Sequence, residues 1–296
     1  MNNINELNIK FDNDITLVIA TIGENSLNRT IRSILCGSIV PHKILLCIPE
    51  EKKEQISSLS SQFKCIHILP TKEKGQVIQR ILGFKHSTTK YTVQLDSDVE
   101  VEENLIENLK KTLLMNPGAC VGPVIYKNNN KEKYSFLSST CNLYSPFEKK
   151  LMLKVLNGKE GFKSGILSKG GVGFGPEMHT STDIVEWLPG CCVMHETKNL
   201  IMDNFYPFAG KAYSEDMFHS HFINNKDIQM IISNEAKIFV DFPILSMKNF
   251  SILVKEQFYA FRAHSAYVKL ADKSLLRFLL FSILNIFFLV KKRVFS

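Results

Sequence analysis

The chain has 296 residues, 45% of them apolar and 22% charged, enough for one large domain or two intimate halves with a core that needs no metal or disulfide staples. Its 36 Lys and Arg against 29 Asp and Glu leave a net charge of +7. That sign excludes none of three partners: nucleic acid, an anionic membrane surface or phosphate-bearing substrates. The seven cysteines include no C-x-x-C pair, and Cys191 and Cys192 are sequence neighbours, which disulfide geometry disfavours. Reduced thiols, and hence the cytosol, are expected. Residues 1–14 read as a polar tail without the apolar stretch of a signal peptide.

Residues 15–20 (ITLVIA) form the apolar run of a strand buried on both faces. A helix follows with Leu27, Ile31, Ile34 and Leu35 on one face, Ser26 as its expected N-cap and Gly37 as its stop. A second strand is expected at 44–48, a charged helix at 50–62 and a third strand at 65–69. Then come a helix carrying Val77, Ile78, Ile81 and Leu82, a fourth strand at 91–95, and a helix with Leu105, Ile106, Leu109 and Leu113. Such alternation predicts a doubly wound, mostly parallel sheet, which binds ligands beyond the C-terminal ends of its strands. The glycines between Gly161 and Gly175 lack the strand and helix that frame a phosphate loop, so a mobile loop or lid is expected there. Further on, the pattern predicts a short apolar segment at 191–194, a helix from about Glu215, two strands at 228–232 and 237–242, and helix beyond 251.

Asp96-Ser-Asp98 follows directly on the fourth strand. Two carboxylates where a strand ends can converge on one hard cation, Mg2+ or Mn2+, whose remaining positions take water and diphosphate oxygens. The alternative is a polar turn that caps the next helix. Glu215-Asp216, at the start of a helix, sit where exposed N–H groups favour carboxylates and keep them ionised. Asp216 and His219 lie three apart on one helix face, which leaves open a metal-dependent hydrolase built on Asp96, Asp98, Asp216 and His219. His179, His195 and His264 read as packing or surface residues. No basic-aromatic stripe points to nucleic acid.

The stretch from Gly75 through Arg80 and Gly83 to Asp96-Ser-Asp98 resembles the donor-site stretch of family 2 glycosyltransferases, which have the GT-A fold. Trp187-Leu-Pro-Gly190 resembles that family's acceptor-side W-x-x-G segment, and Tyr213-Ser-Glu215-Asp216 its Y-x-E-D motif. The resemblance covers roughly residues 15–245. It departs at the end of the second strand, where Ile48-Pro49-Glu50 replace the usual Asp, and at Arg80-Ile81, where the family has Arg-Asn. The family's downstream His is also missing, with Asp241 the nearest substitute.

The resemblance implies a metal-dependent, inverting transfer of a hexosyl or N-acetylhexosaminyl group from a nucleotide-diphosphate sugar to a hydroxyl of a surface glycan or lipid-linked precursor. Asp216, with Glu215, would supply the catalytic base. Asp98, Asp96 and Asp241 are the metal candidates, and Thr21, Glu24, Pro49, Lys74, Gly75, Arg80 and Asp96 the donor candidates. Trp187 and Gly190 would meet the acceptor. A nucleotide-sugar-binding half (15–122), an acceptor and catalytic-base half (123–245) and a helical extension (246–296) are expected. A degenerate member that only binds glycan or nucleotide is the rival from another class.

The extension is basic and apolar. As one helix it would place Lys255, Arg262, Lys269, Lys273 and Arg277 in one arc, opposite Phe261, Val268, Ala271, Leu275 and Leu279. The run 275–290 is short for a span and carries Arg277. It is expected to lie on the cytoplasmic face of a membrane, with Lys291-Lys292-Arg293 as a second contact. The alternative is a solvated charged face on a helix docked to the catalytic domain, with the final apolar run packed in a dimer interface.

Overall fold

The computed structural model describes residues 10–128, 145–161, 163–175, 182–208, 210–241 and 250–295. A mixed sheet with strand order β3-β2-β1-β4-β8-β6-β9-β5 runs through the molecule. Its strands are β1 (Phe11–Ala20), β2 (Val40–Pro49), β3 (Ile66–Thr71), β4 (Tyr91–Asp96), β5 (Val99–Val101), β6 (Cys120–Lys127), β7 (Thr182–Val185), β8 (Cys192–Glu196) and β9 (Met230–Val240). β1 to β4 pair in parallel. β8 runs antiparallel between β4 and β6, and β9 pairs in parallel with β6. The expected boundary at 122/123 falls within β6.

The apolar runs are buried as expected: Ile15, Leu17, Val18 and Ile19 in β1 and Ile44, Leu46 and Ile48 in β2 are fully covered. Helices α1 (Leu27–Leu35), α2 (Ser57–Gln62), α3 (Gln76–Lys85) and α4 (Leu105–Met115) connect the strands. Gly83 lets α3 lie against β1, because a Cβ there would come within 2.3 Å of Val18 Cγ1.

Several expectations need correction. The Ser26 side chain makes no cap bond. The charged segment after β2 is a 3-10 turn, Glu50–Ile56, that becomes helical only as α2. The two strands expected at 228–232 and 237–242 are one, β9, whose pairing with β6 shifts register between Pro123 and Val124. Phe242 lies outside the described residues. The segment 163–175 is no loose lid over its described part: Ser168 N donates to Val172 O, Phe174 N to Ile166 O, and Trp187 Nε1 to Phe174 O.

A helix absent from the expectations, α5 (Pro146–Asn157), carries a full sequence signature. Ser145 and Glu148 form a capping box, Pro146 begins the helix, and Gly158 ends it in the left-handed region. α6 (Glu215–Asn224) begins where predicted.

The C-terminal segment is two helices rather than one, α7 (Phe250–Leu270) and α8 (Leu275–Phe295). Asp272 adopts φ 50°, Lys273 N donates to Val268 O, and Arg277 N reaches Ser274 Oγ to start the new helix. The predicted basic arc is therefore broken. Arg277 turns inward and donates to Val155 O, while Tyr267 and Val268 are buried against Trp187 and Phe218. Among the described residues no helix is long and apolar enough to cross a membrane. Six cysteines are free, and Cys141 lies outside the described residues.

Replacing Gly83 with Ala tests the α3–β1 approach. The helix gains about 1 kcal/mol of propensity, but overpacking against Val18 and Cys47 costs about 1–3 kcal/mol. A net loss of stability in urea unfolding is expected, and a more stable variant would refute the close packing.

Candidate active site

The D-x-D segment lies at the C-terminal end of β4, in register with Ala20 at the end of β1. It turns into β5 rather than into a helix, and α4 starts later, after Asn104. The carboxylates are thus free of any capping duty. Thr30 Oγ1 donates to Ser97 O and holds the turn. Asp98 points outward and Asp96 is half-buried.

Arg80 of α3 joins this turn to the start of α6. Its Nη2 donates to Asp96 Oδ1 at 2.8 Å and its Nη1 to Glu215 Oε1 at 2.7 Å, and its side chain is only 4% exposed. The guanidinium faces inward, onto two carboxylates 119 positions apart in the chain, rather than toward solvent. Glu215 is buried as well, packed so closely on Gly190 that a Cβ there would stand 2.2 Å from Glu215 Oε1. Gly190 is fixed in turn by Gln94 Nε2, which donates to its carbonyl at 2.9 Å.

These contacts frame a cavity of about 270 Å³ lined by Gln76, Asp96, Gly190, Ser214, Glu215 and Asp216, among others. Lost hydration, and then the charge of Glu215, lift the Asp216 carboxyl to about 7, against the N–H of Met217. This corrects the expectation that the helix N-terminus keeps it firmly ionised. Burial likewise lifts Asp96 to about 6, although Arg80 pulls the other way. Asp98 is raised by lost hydration and by Glu24 and Asp241, with Arg29 opposing.

The remaining candidates divide by place. Thr21 Oγ1 donates to Glu24 Oε2 at 2.9 Å and shapes the loop after β1, while Pro49 ends β2 beside it. Gly75 precedes α3 with φ 144°, and Lys74 is exposed and paired with Glu51 at 2.5 Å. Asp241 follows β9 and is bound by Arg29. Trp187 is fully buried and does not line the cavity. His219 packs against His195 and Phe205, and burial pushes it down to about 3, so it is a neutral ring in the core. The structure does not bring it to Asp96 and Asp98 as a hydrolase would need. His195 is buried beside Cys120, and His179 lies outside the described residues.

Two glutamines that no sequence motif marks complete the site. Gln76 Nε2 donates to Asp96 Oδ1 at 3.0 Å, and Gln79 Nε2 donates to both Thr21 O and Cys47 O, tying the ends of β1 and β2. Their signal was position alone: both fall in the first turn of the helix that follows Gly75.

The donor set suits a hard divalent cation. Asp96 and Asp98 offer carboxylate oxygens, and the crowding of Glu24 and Asp241 around Asp98 leaves negative charge that a cation would relieve. Among the described residues no three His, Cys, Asp or Glu side chains close on one point, so most of the coordination would come from water and substrate oxygens.

The family model described as glycosyl transferase family 2 matches residues 47–168, which include Arg80 and the D-x-D but stop short of Asp216. No curated protein sequence matches the chain. Solved structures with the same fold include GalNAc-T7 with UDP, GalNAc and Mn2+, at TM-score 0.58 and 13% identity over 90% of this chain. The chain spans 56% of the length of that protein. The mannosyltransferase PcManGT from Pyrobaculum calidifontis, with GDP-Man and Mn2+, aligns at TM-score 0.56 and 12% identity over 95% of this chain and 73% of its own. S. aureus TarS 1-349 aligns at TM-score 0.53 and 10% identity over 92% and 71%.

The raised Asp216 carboxyl has a thermodynamic consequence. Its folded value of about 7 exceeds the unfolded value of about 4. Protonation therefore stabilises the native state fully below about pH 4, and this contribution is lost as pH rises through about 7. Asp216→Asn removes that dependence. Without divalent cations, the variant should melt above wild type at pH 8, with the gap closing toward pH 4.5. A gap that does not change with pH would show that Asp216 titrates normally.

Proposed function

We propose that this chain is a family 2 glycosyltransferase that moves a sugar from a nucleotide-diphosphate donor to an acceptor hydroxyl with inversion at the anomeric carbon; the family match over residues 47–168 and the shared fold support the reading. The observation that carries the reading is the Arg80 bridge, which brings the D-x-D turn and Asp216 to one cavity. The neighbours bound to UDP or GDP-Man with Mn2+ support a nucleotide-sugar donor and a divalent metal, Mg2+ or Mn2+.

Asp98 and Asp96 would hold the cation, with Asp241 beside them. A bound cation offsets the charge that develops on the departing diphosphate. Thr21, Glu24, Pro49, Lys74 and Gly75 surround the donor side, at the ends of β1 and β2 and the start of α3. The acceptor oxygen attacks the anomeric carbon as the bond to diphosphate breaks, and its proton passes to Asp216. One oxygen of Asp216 is held by Met217 N at 2.9 Å, and the residue lines the cavity. A base with a value near 7 is matched to neutral pH. Glu215 and Arg80 act as positioning residues, and Gly190 forms the acceptor-side wall, while Trp187 packs on Gly173 in the core.

The acceptor is read as a surface glycan or its lipid-linked precursor, with the enzyme on the cytoplasmic face of the membrane. Supporting this, α8 exposes Leu276, Ile283, Ile286, Phe287 and Val290 along one stripe, and α7 exposes Phe258 and Phe261. Lys255, Arg262 and Lys269 are exposed on α7 beside them. Such a surface suits anionic headgroups over acyl chains.

A screen of UDP- and GDP-sugars for Mn2+-dependent release of nucleoside diphosphate tests the reaction. Asp98→Ala should abolish release at nearly unchanged melting temperature. Asp216→Asn should lower kcat about 10²- to 10⁴-fold with donor affinity retained. No release from any donor would favour a protein that only binds, and EDTA-resistant turnover would remove the cation from the mechanism.

The membrane reading has its own test. The full chain should sediment with phosphatidylglycerol vesicles, and the pair Ile283→Glu and Phe287→Glu should release it while leaving turnover of soluble donor unchanged. A wild-type chain that stays in the supernatant, or as a dimer buries that stripe, would overturn it.

A further inference from the structure

The C-terminal hairpin meets Ser214, a residue of the cavity lining, through the side chain of His264 on α7. Both of its ring nitrogens are engaged: Nε2 lies 3.1 Å from Gly171 O and Nδ1 3.1 Å from Ser214 Oγ. A carbonyl oxygen can only accept, so Nε2 carries the proton and Nδ1 accepts from the Ser214 hydroxyl. The ring stacks on Phe278, with centroids 4.8 Å apart, and meets Tyr267 edge-on at 5.6 Å. Burial pushes the imidazole down to about 4, so it stays neutral and keeps this tautomer across the working pH range.

Ser214 is an unusual residue to hold. It directly precedes Glu215 and Asp216, lines the cavity, and adopts φ 56°, a left-handed conformation that costs a non-glycine residue about 1–2 kcal/mol. At the N-cap of α6 its hydroxyl would ordinarily bond to a free N–H of the first turn, yet it makes no such bond. The hydroxyl is turned outward to α7 instead. The opposite nitrogen of the same imidazole is tied to the 163–175 segment, so three separate stretches of chain converge on one ring.

We propose that His264 is a positioning residue for Asp216: by holding the Ser214 hydroxyl it fixes the left-handed entry to α6 and thereby the direction in which Asp216 faces the cavity. The C-terminal hairpin is then part of the catalytic apparatus, whatever else its outer surface does. The proposal rests on Asp216 being the base, and the experiment separates the two claims.

15N NMR of the histidine-labelled full chain reads the contact without any substrate. His264 should appear as the neutral Nε2–H tautomer at pH 6.5, and Ser214→Ala should move its Nδ1 resonance. Kinetics with the donor that the screen identifies reads the consequence. His264→Phe keeps the stacking on Phe278 but loses both hydrogen bonds, and should lower kcat about 10²-fold, as a base displaced by about 1 Å would. Donor KM should stay near wild type, and the variant should remain folded at the assay temperature although it melts lower for want of both part-buried hydrogen bonds. His264→Asn, whose amide can both donate and accept, should restore much of the loss. A protonated Nδ1, or His264→Phe within about twofold of wild type while Asp216→Asn is inactive, would overturn the proposal. Full turnover in Asp216→Asn would instead overturn the assignment of the base and leave the NMR result to judge the contact alone.

Discussion

The site depends on one buried cation. Arg80 is enclosed almost completely, and its two terminal nitrogens are divided between Asp96 and Glu215. Burying a guanidinium is costly, and here the cost is offset only because both carboxylates face it at hydrogen-bonding distance. Taking away one partner of such a group typically costs about 3–5 kcal/mol, since a charge is left buried without compensation. Lysine could not substitute, because a single ammonium lacks the planar fork that spans two acceptors at fixed angles. Arginine at this point of α3 therefore sets the distance between the turn after β4 and the start of α6.

That constraint explains the burial of α3. Val77, Gln79, Arg80, Ile81, Gly83 and Phe84 are all buried, more of the circumference than a surface helix covers. One side lies on β1 and β2, where Gln79 ties the strand ends. The other lies beneath the layer of Tyr206, Ala212, Met217 and Phe218, which continues to Tyr267 and Phe278 of the C-terminal helices. A wedge buried on two sides can present a polar residue to each, Gln79 to the sheet and Arg80 to the site. The antiparallel insertion of β8 beside β4 completes the frame, since it carries Gly190 to the end of β4 where Glu215 needs a neighbour without a side chain.

Much of the architecture was legible in the sequence because its signals are local. The strands announced themselves as apolar runs, the D-x-D by its place at the end of one, and Glu215-Asp216 by the start of a helical pattern. What stayed hidden was pairing across distance. No local pattern tells that Arg80 faces inward, since a charged residue on a helix is ordinarily read as solvated. The burial of Trp187 and of His219 was hidden for the same reason, because both residue types serve equally as core and as site. α5 is a different case: Ser145, Pro146, Glu148 and Gly158 spell its ends in full, but it lies in a polar, glycine-rich stretch with little apolar periodicity of its own. The break at Asp272 was masked by its own side chain, since the left-handed turn there falls on Asp rather than on the Gly that usually marks it.

The C-terminal helices show how a segment can look peripheral by composition and be integral by packing. On one side, Tyr267, Val268 and Phe278 enter the same cluster as Trp187 and Phe218, and Arg277 and Ser274 bond to the chain around α5 and the 163–175 segment. On the other side α8 keeps an apolar stripe in the open. An apolar helix needs only one face to dock, and here Leu276, Ile283, Ile286, Phe287 and Val290 are left on the other. The inner face is committed to the layer of Trp187, Met217 and Phe218, and through His264 the first of the two helices also touches Ser214.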